Sequence, residues 1–292
     1  MDLIRRNKKL IIAGLAPALI VYAMFVIIPI FRSFYYGFTN WNGFGTAKLV
    51  GFQNFKAILK DSYFWMSFKN NILVVIASIL GQIPIALILA IILSRRIRGV
   101  KFFRTIYFMP MVVSTVVVAL LWSNIYNSQI GILNNLLNAV GLKKLALNWL
   151  GNPKIAIFSA CIPIIWQYVG LYLIIFLAAI QNISESIFEA AEIDGATEIQ
   201  KFKSITFPML WNTVKVAVVL CIAGSMKTFD LIYVMTNGGP ARSTEVMAIY
   251  MYNKTFTVYQ YGYGSAVSTV IFIISLLFIL LSQKLMKRND EL

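Results

Sequence analysis

Two sets of charged residues stand where they could act. The first is a run of acids, Glu185, Glu189, Glu192, Asp194 and Glu198, which holds five of the eleven carboxylates in this 292-residue chain. Such density in an otherwise apolar sequence must sit in water and suits a docking surface. The second is Lys227 and Asp230, three residues apart within a long apolar stretch. An ionisable group there costs about 2.5–3.5 kcal/mol at mid-membrane and ordinarily faces a cavity or a partner. As i and i+3 of one helix the two would share a face and could pair. Alternatively, Lys227 snorkels toward headgroups while Asp230 balances it. Bond-making chemistry has little to work with. The chain has no His, no G-x-x-x-x-G-K-[ST] phosphate loop and no G-x-S-x-G elbow, so a serine triad lacks its usual base. Cys161 and Cys221 both fall within apolar segments, which leaves no zinc or disulfide framework. No catalytic and no metal-binding residue is assigned.

The elements that must position these residues are membrane helices. Hydrophobic residues make up 59% of the chain, charged residues 13%, and the mean hydropathy is +0.77, too apolar for a soluble globule. The net charge of +15 would suit nucleic acid only if it formed a basic face, but the cations cluster in short loops beside apolar runs. No nucleic-acid partner is expected. Spanning helices need about 20 apolar residues. Six candidates lie at roughly 10–36, 72–93, 105–126, 155–180, 212–235 and 265–286. The third carries Pro110 inside it, where a kink is tolerable. The first is too long for a signal peptide and lacks a small-residue cleavage site, so a retained anchor is expected. No repeat or domain boundary is visible, and residues 1–292 read as a single transmembrane domain.

Cation placement predicts orientation. Four lie in Arg5–Lys9, five in Arg95–Arg104, two at Lys201 and Lys203 and three in Lys284–Arg288, all on one side of a six-span arrangement. The other side carries nine, spread over longer loops: Lys48, Lys56, Lys60, Lys69, Lys143, Lys144, Lys154, Arg242 and Lys254. Both termini and the acidic run are therefore expected in the cytoplasm. The outer loop after the first span contains TNWNGFG and GFQNFKAILKDSYF. A helix from Phe52 to about Leu59 would lie along the membrane surface, with interfacial packing favoured over substrate contact.

The acidic run itself predicts two short helices joined at Gly195. Ser186 with Glu189 and Thr197 with Gln200 each have capping-box spacing. Ile187, Ala190, Ala191 and Ile193 would form one small apolar face, and Ile199, Phe202 and Ile205 another. Gly195 can take the positive φ that ends a helix and turns the chain. Pro208 marks the start of the next apolar segment. From spacing alone, an amphipathic loop on the lipid surface is an equal alternative to a docking elbow.

Glu189-Ala190-Ala191, then Gly195, then Ile205-x-Phe207-Pro208 resembles the EAA loop of permease subunits in binding-protein-dependent ABC importers. The resemblance implies an all-α permease of the type I importer fold, with six transmembrane helices and a cytoplasmic coupling loop at 184–208. In that family the loop docks into a groove of a separate ATPase. Carried over, Glu189, Ala190, Ala191, Asp194 and Gly195 form the coupling core, supported by Phe202 and Pro208. The family's usual Leu-Pro is Phe207-Pro208 here, and its upstream Pro is Ser184. Further on, F-D-x-I-Y-x-x-T-x-G-G-P-x-x-x-T, residues 229–244, resembles the carbohydrate-importing branch of maltose-transporter type. Supporting matches are the G-F-x-N-F of the outer loop, Phe103-Arg104-Thr105 with Pro110, Trp122, and Gly262-Tyr263-Gly264-Ser265-Ala266.

The resemblance further implies sugar contacts near Gln167, Tyr168 and Leu171, and near Ser225 and Thr228, with Trp166 and Tyr172 as neighbours. These side chains could equally serve helix packing. Lys227 stands where the family pattern has Asn. Expected partners are a second permease in a heterodimer, a cytoplasmic ATPase dimer, an extracytoplasmic sugar-binding protein and the bilayer of a bacterial or archaeal cytoplasmic membrane. This chain would hold no cofactor, since ATP and magnesium belong to the ATPase, and it would not itself be an enzyme. A glycerol-phosphate importer of the same family is the alternative, because a cationic Lys227 could attract an anion. A secondary sugar carrier is a more distant one.

Overall fold

Lipid offers no partner to backbone N–H and C=O groups, so apolar segments of spanning length are driven into helices. The computed structural model describes residues 8–94 and 98–287, with side chains from Ile11 onward at the amino end. Among the described residues there is no strand, only one isolated antiparallel bridge between Thr39 and Leu49. In chain order, α1 (Lys8–Tyr22) continues through a π turn into α2 (Ile28–Gly37), followed by α3 (Gln53–Lys60) and α4 (Ser62–Ser94). Then come α5 (Val100–Val112), α6 (Thr115–Ile125), α7 (Ile132–Ala139), α8 (Ala156–Gln181) and α9 (Glu185–Ile193). Next, α10 (Glu198–Lys201) runs through a second π turn into α11 (Phe207–Met226). The last helices are α12 (Asp230–Thr236), α13 (Met247–Tyr252) and α14 (Tyr261–Leu285).

Among the described residues, five helical segments are long and apolar enough to cross a membrane: Ile11–Gly37, Ser62–Ser94, Ala156–Gln181, Glu198–Met226 and Tyr261–Leu285. The pair α5–α6 makes a sixth if taken together, but it is bent by 97°. Two sequence expectations therefore change. The segment 105–126 is not one kinked helix. Pro110 rides inside α5, and the turn comes at Val113 and Ser114, whose extended backbone has ψ of 140° and 132°. The segment 212–235 is not one helix either, because α11 stops at Met226 and α12 starts at Asp230. The first break lies within an apolar run, and the second holds only Lys227 and Asp230 as charges in a long apolar stretch, so hydropathy marks neither as a turn. The second span also begins at Ser62 rather than near residue 72. A helix forms at the place expected for Phe52 to about Leu59, as α3. Of the cations counted for orientation, Arg5, Arg6, Arg95, Arg96 and Arg288 lie outside the described residues.

The chain divides into two compact units. One comprises Met1–Asp61 and Met251–Ile273. The turn after α2 is held by Asn54 Nδ2, which donates to the carbonyls of Gly37 at 2.9 Å and Thr39 at 2.8 Å. Asp61 accepts from Tyr263 Oη at 3.3 Å and pairs with Lys254 at 3.6 Å.

The other unit comprises Ser62–Tyr250 and Ile274–Leu292. Ala86, Ala90, Leu173, Phe176, Leu210 and Ala217 pack α4, α8 and α11 together. A second cluster, with Val74, Val118, Ala160, Ile164 and Ile232, joins α4, α6, α8 and α12. Small residues permit close approach where lipid supplies no hydrophobic drive. At Gly170 an added Cβ would stand 2.1 Å from the Tyr107 carbonyl, so α5 crosses α8 against bare backbone. Pro163 within α8 has no N–H for the carbonyl of Ser159. Tyr126 supplies the missing donor, its Oη lying 3.1 Å from that oxygen.

Candidate functional site

Two places in the second unit gather the residues singled out from the sequence. The first is a cavity of about 320 Å³ where α4, α6, α8, α11 and α12 meet. Gln167, Tyr168, Leu171, Tyr172, Ser225, Lys227 and Thr228 all line it, together with Asp230. Trp166 does not. It lines a separate apolar groove with Trp122, which it meets edge-on at 5.9 Å. Sequence reasoning missed Gln82, Thr115, Cys221, Gly224 and Phe229, which also line the cavity. For Phe229, the signal was present in the F-D-x-I-Y pattern. For Gln82 and Thr115 nothing local marks them, because they arrive from α4 and α6.

The helix breaks explain how a polar cavity survives among apolar helices. Non-helical backbone at membrane depth persists only where other groups satisfy it or it lines a cavity. At the first break, Gln167 Nε2 donates to the Val113 carbonyl at 3.4 Å and to Thr115 Oγ1 at 3.3 Å. At the second, Asn71 Nδ2 donates to the Ser225 carbonyl at 3.1 Å, while its Oδ1 accepts from the Met247 N–H at 3.2 Å. Gln82 is engaged at both ends, donating to the Ile164 carbonyl at 3.3 Å and accepting from Cys221 Sγ at 3.5 Å. Gln167 differs. It is only 1% exposed, and its Oε1 has no hydrogen-bond partner among the described residues. An unpaired buried acceptor costs about 1–3 kcal/mol, and here it sits on a residue lining the cavity.

Lys227 and Asp230 do not share a helix face. Lys227 follows the last residue of α11, and Asp230 opens α12. Among the described residues no ion pair joins them, and both are exposed to the cavity. A cation and an anion are thus presented separately at one break. Beyond α12, Asn237 and Gly238 take left-handed φ of 49° and 81°, giving the tight turn expected there. The turn is tied down by Asn70 Nδ2, which donates to the Glu245 carbonyl at 3.0 Å. Glu245, 3% exposed, pairs with Arg242 at 3.3 Å, whose guanidinium lies 4.1 Å from the centre of the Tyr63 ring.

The second place is the acidic elbow. α9 ends in a left-handed Gly195 (φ 72°), with the Ala196 N–H bonded to the Ala191 carbonyl at 2.9 Å and the Gly195 N–H to Glu192 at 3.0 Å. This is the Schellman arrangement that glycine favours. An added Cβ at Gly195 would meet nothing within 4 Å, so backbone angle alone demands glycine there. The capping box at Thr197 and Gln200 forms as expected, the Thr197 N–H donating to Gln200 Oε1 at 2.7 Å. The one at Ser186 and Glu189 does not. α9 begins at Glu185, so Ser186 already lies in its first turn, and its hydroxyl is spent on Ser184 at 2.7 Å.

Lys201 Nζ bonds Glu192 at 2.9 Å as well as Glu198, pinning α9 to α10 across the bend. Glu189, Ala190, Asp194 and Gly195 are exposed, Ala191 partly so. Phe202 and Pro208 are half-buried, and the Phe202 ring lies 5.9 Å from Phe207. Ile193 and Ile199, placed on the apolar faces by periodicity, are 87% and 67% exposed. Those faces are left uncovered by this chain.

Known proteins share both sequence and architecture with this one. Residues 82–290 match the family described as the binding-protein-dependent transport system inner membrane component. The chain is 37% identical to the probable ABC transporter permease protein YurN of Bacillus subtilis, covering 99% of this chain and 100% of that one. It is 32% identical to the multiple sugar-binding transport system permease protein MsmF of Streptococcus mutans, covering 93% of each. A solved bacterial ABC transporter involved in import of the acidic polysaccharide alginate contains a chain that superposes with a TM-score of 0.85. That match covers 99% of both chains at 24% identity and carries the fold.

Proposed function

The chain belongs to the family of binding-protein-dependent transport system inner membrane components, and from that premise we propose that it is the permease of an ATP-driven importer for a neutral sugar or oligosaccharide. The whole chain acts as one permease domain with both termini in the cytoplasm. It lines the translocation path with a second permease, receives its sugar from an extracytoplasmic binding protein, and takes its motion from a cytoplasmic ATPase dimer. ATP and magnesium belong to the ATPase. This chain contributes geometry rather than bond chemistry.

The observation that carries the reading is the convergence of Gln167, Tyr168, Ser225 and Thr228 on one cavity between two helix breaks. A neutral sugar needs hydrogen-bonding groups and an aromatic face near mid-membrane, where lipid supplies neither. Gln167 Oε1 is unpaired among the described residues, and a turn of the side chain toward the cavity would offer it to a sugar hydroxyl. The elbow adds support from the other side. Two rigid short helices, clamped by Lys201, present exposed Ile193 and Ile199 beside Glu189 and Asp194, a surface suited to a groove in another protein. The relative MsmF is named for sugar transport, which fits the same substrate class.

The test is uptake in cells lacking the gene and complemented with it. Neutral oligosaccharides and glycerol phosphate would be compared under ATP depletion and under a protonophore. ATP-dependent uptake of a neutral sugar that resists the protonophore is expected. Uptake of glycerol phosphate alone would move the protein to the anionic alternative, and protonophore-sensitive uptake independent of ATP would end the proposal. Within the same assay, Lys227→Ala separates roles. Loss of phosphate uptake alone marks Lys227 as an anion reader, whereas equal loss of both substrates marks it as structural.

A further inference from the structure

Arg32 is the only charged residue between Ile11 and Gly37, the first span. Its guanidinium is permanently cationic and carries five donors, yet among the described residues it makes no ion pair or side-chain hydrogen bond. We propose that the groove around Arg32 seats the headgroup phosphate of an anionic phospholipid, drawn from the leaflet at the Gly37 end of the span. This goes beyond transport and does not rest on the substrate assigned above.

Depth, shape and polarity support the assignment. The 27 residues of the span extend about 40 Å at 1.5 Å each, close to the 40–45 Å of a bilayer with its headgroups. Arg32, five residues before Gly37, then lies about 7–8 Å inside that end, where lipid phosphate and glycerol sit rather than among acyl tails. The groove measures about 470 Å³. Ser33, Tyr36, Trp41 and Tyr261 line it beside Arg32, while Ile28 and Met24 line it one and two turns toward mid-membrane. A polar upper end running into an apolar floor is the profile of an amphiphile. Free phosphate would leave the floor empty.

The wall is also prebuilt. Tyr36 stacks on Trp41 at 4.5 Å, Trp41 meets Tyr261 at 5.5 Å, and the Gly262 N–H bonds the Trp41 carbonyl at 2.8 Å. An arginine that merely snorkels to water requires no such wall. Tyrosine and tryptophan are the residues that settle at headgroup level, and a guanidinium matches phosphate in a two-pronged fashion.

The experiment uses the full chain, purified in a zwitterionic detergent and supplied with phosphatidylglycerol or phosphatidylcholine of the same acyl length. Native mass spectrometry counts retained lipid, and thermal unfolding reports protection. Wild type is expected to retain one phosphatidylglycerol and to unfold later with it than with phosphatidylcholine. Arg32→Gln should weaken retention by roughly tenfold or more, and Arg32→Lys should recover part of it. Trp41→Leu, which leaves the charge in place, should also weaken retention, and it decides the matter if Arg32→Gln fails to fold in phosphatidylcholine. Undiminished phosphatidylglycerol retention by the variants overturns the proposal. So does equal protection by inorganic phosphate, or retention seen only when another protein chain co-purifies.

Discussion

The elbow at 184–208 and the cavity around Gln167 are both interruptions of helix, yet they satisfy the freed backbone in opposite ways. The elbow closes on itself. Gly195 and Ala196 donate back to α9, and Thr197 and Gln200 cap α10, all within a dozen residues. Glu189, Ile193, Asp194 and Ile199 face outward. The cavity is closed from a distance. Asn71 reaches the Ser225 carbonyl and Gln167 reaches Val113, 154 and 54 residues away in sequence. The lesson is that a locally satisfied break can move as a rigid piece, whereas a remotely satisfied break is locked to the packing around it and can hold polar groups in fixed positions. The first suits transmitting force and the second suits recognising a ligand.

That division can be broken by experiment, and the largest expected effect is at the elbow. Gly195→Pro places a residue locked near φ −65° where the backbone stands at 72°. A penalty of about 3 kcal/mol or more reduces the elbow population roughly a hundredfold. Uptake in proteoliposomes carrying the assembled transporter should fall to background, with insertion and ATP hydrolysis persisting. Normal uptake would remove the elbow from the mechanism.

Next is Asn71→Leu, which leaves the Met247 N–H without its partner and the Ser225 carbonyl with only the Thr228 N–H. Unfolding stability should drop by about 1–3 kcal/mol, read by thermal denaturation in detergent, because the lock is structural. A neutral result would mean that the second break is not held from afar.

Gln167→Leu should raise the apparent KM for the sugar roughly tenfold, the loss of one buried hydrogen bond. The number of ATP molecules used per sugar should not change. An altered coupling ratio with unchanged KM would put the cavity in the role assigned to the elbow.

The smallest effect is Thr197→Ala, about 1 kcal/mol for one cap, visible as faster hydrogen exchange at the Gln200 amide and scarcely at all in global unfolding. If that single substitution lowered the unfolding temperature as much as Asn71→Leu, the elbow would not be locally self-sufficient.

Legibility followed the same line. Gly195 and the box at Thr197–Gln200 were readable because their hydrogen bonds link neighbours in sequence. Even there, spacing alone misjudged Ser186, since Ser184 competes for the same hydroxyl, and it missed the Lys201 clamp that reaches Glu192 across the bend. The apolar segments announced spanning helices, but not where two of them break. Val112 ends α5 before one break and Met226 ends α11 before the other, so apolar character on the approach marks neither turn. Lys227 and Asp230 were placed on one face only because the helix was assumed to continue.

By itself the sequence determined that this is an all-helical membrane chain with a water-facing acidic elbow hinged at a glycine. Hydropathy, caps and glycine conformation act over a few residues and need no knowledge of the rest. Only the tertiary structure decided where the helices break and which residues share the cavity. Gln167 and Asn71 hold those breaks by bonding backbone groups brought to them by packing, an interaction that no local pattern encodes.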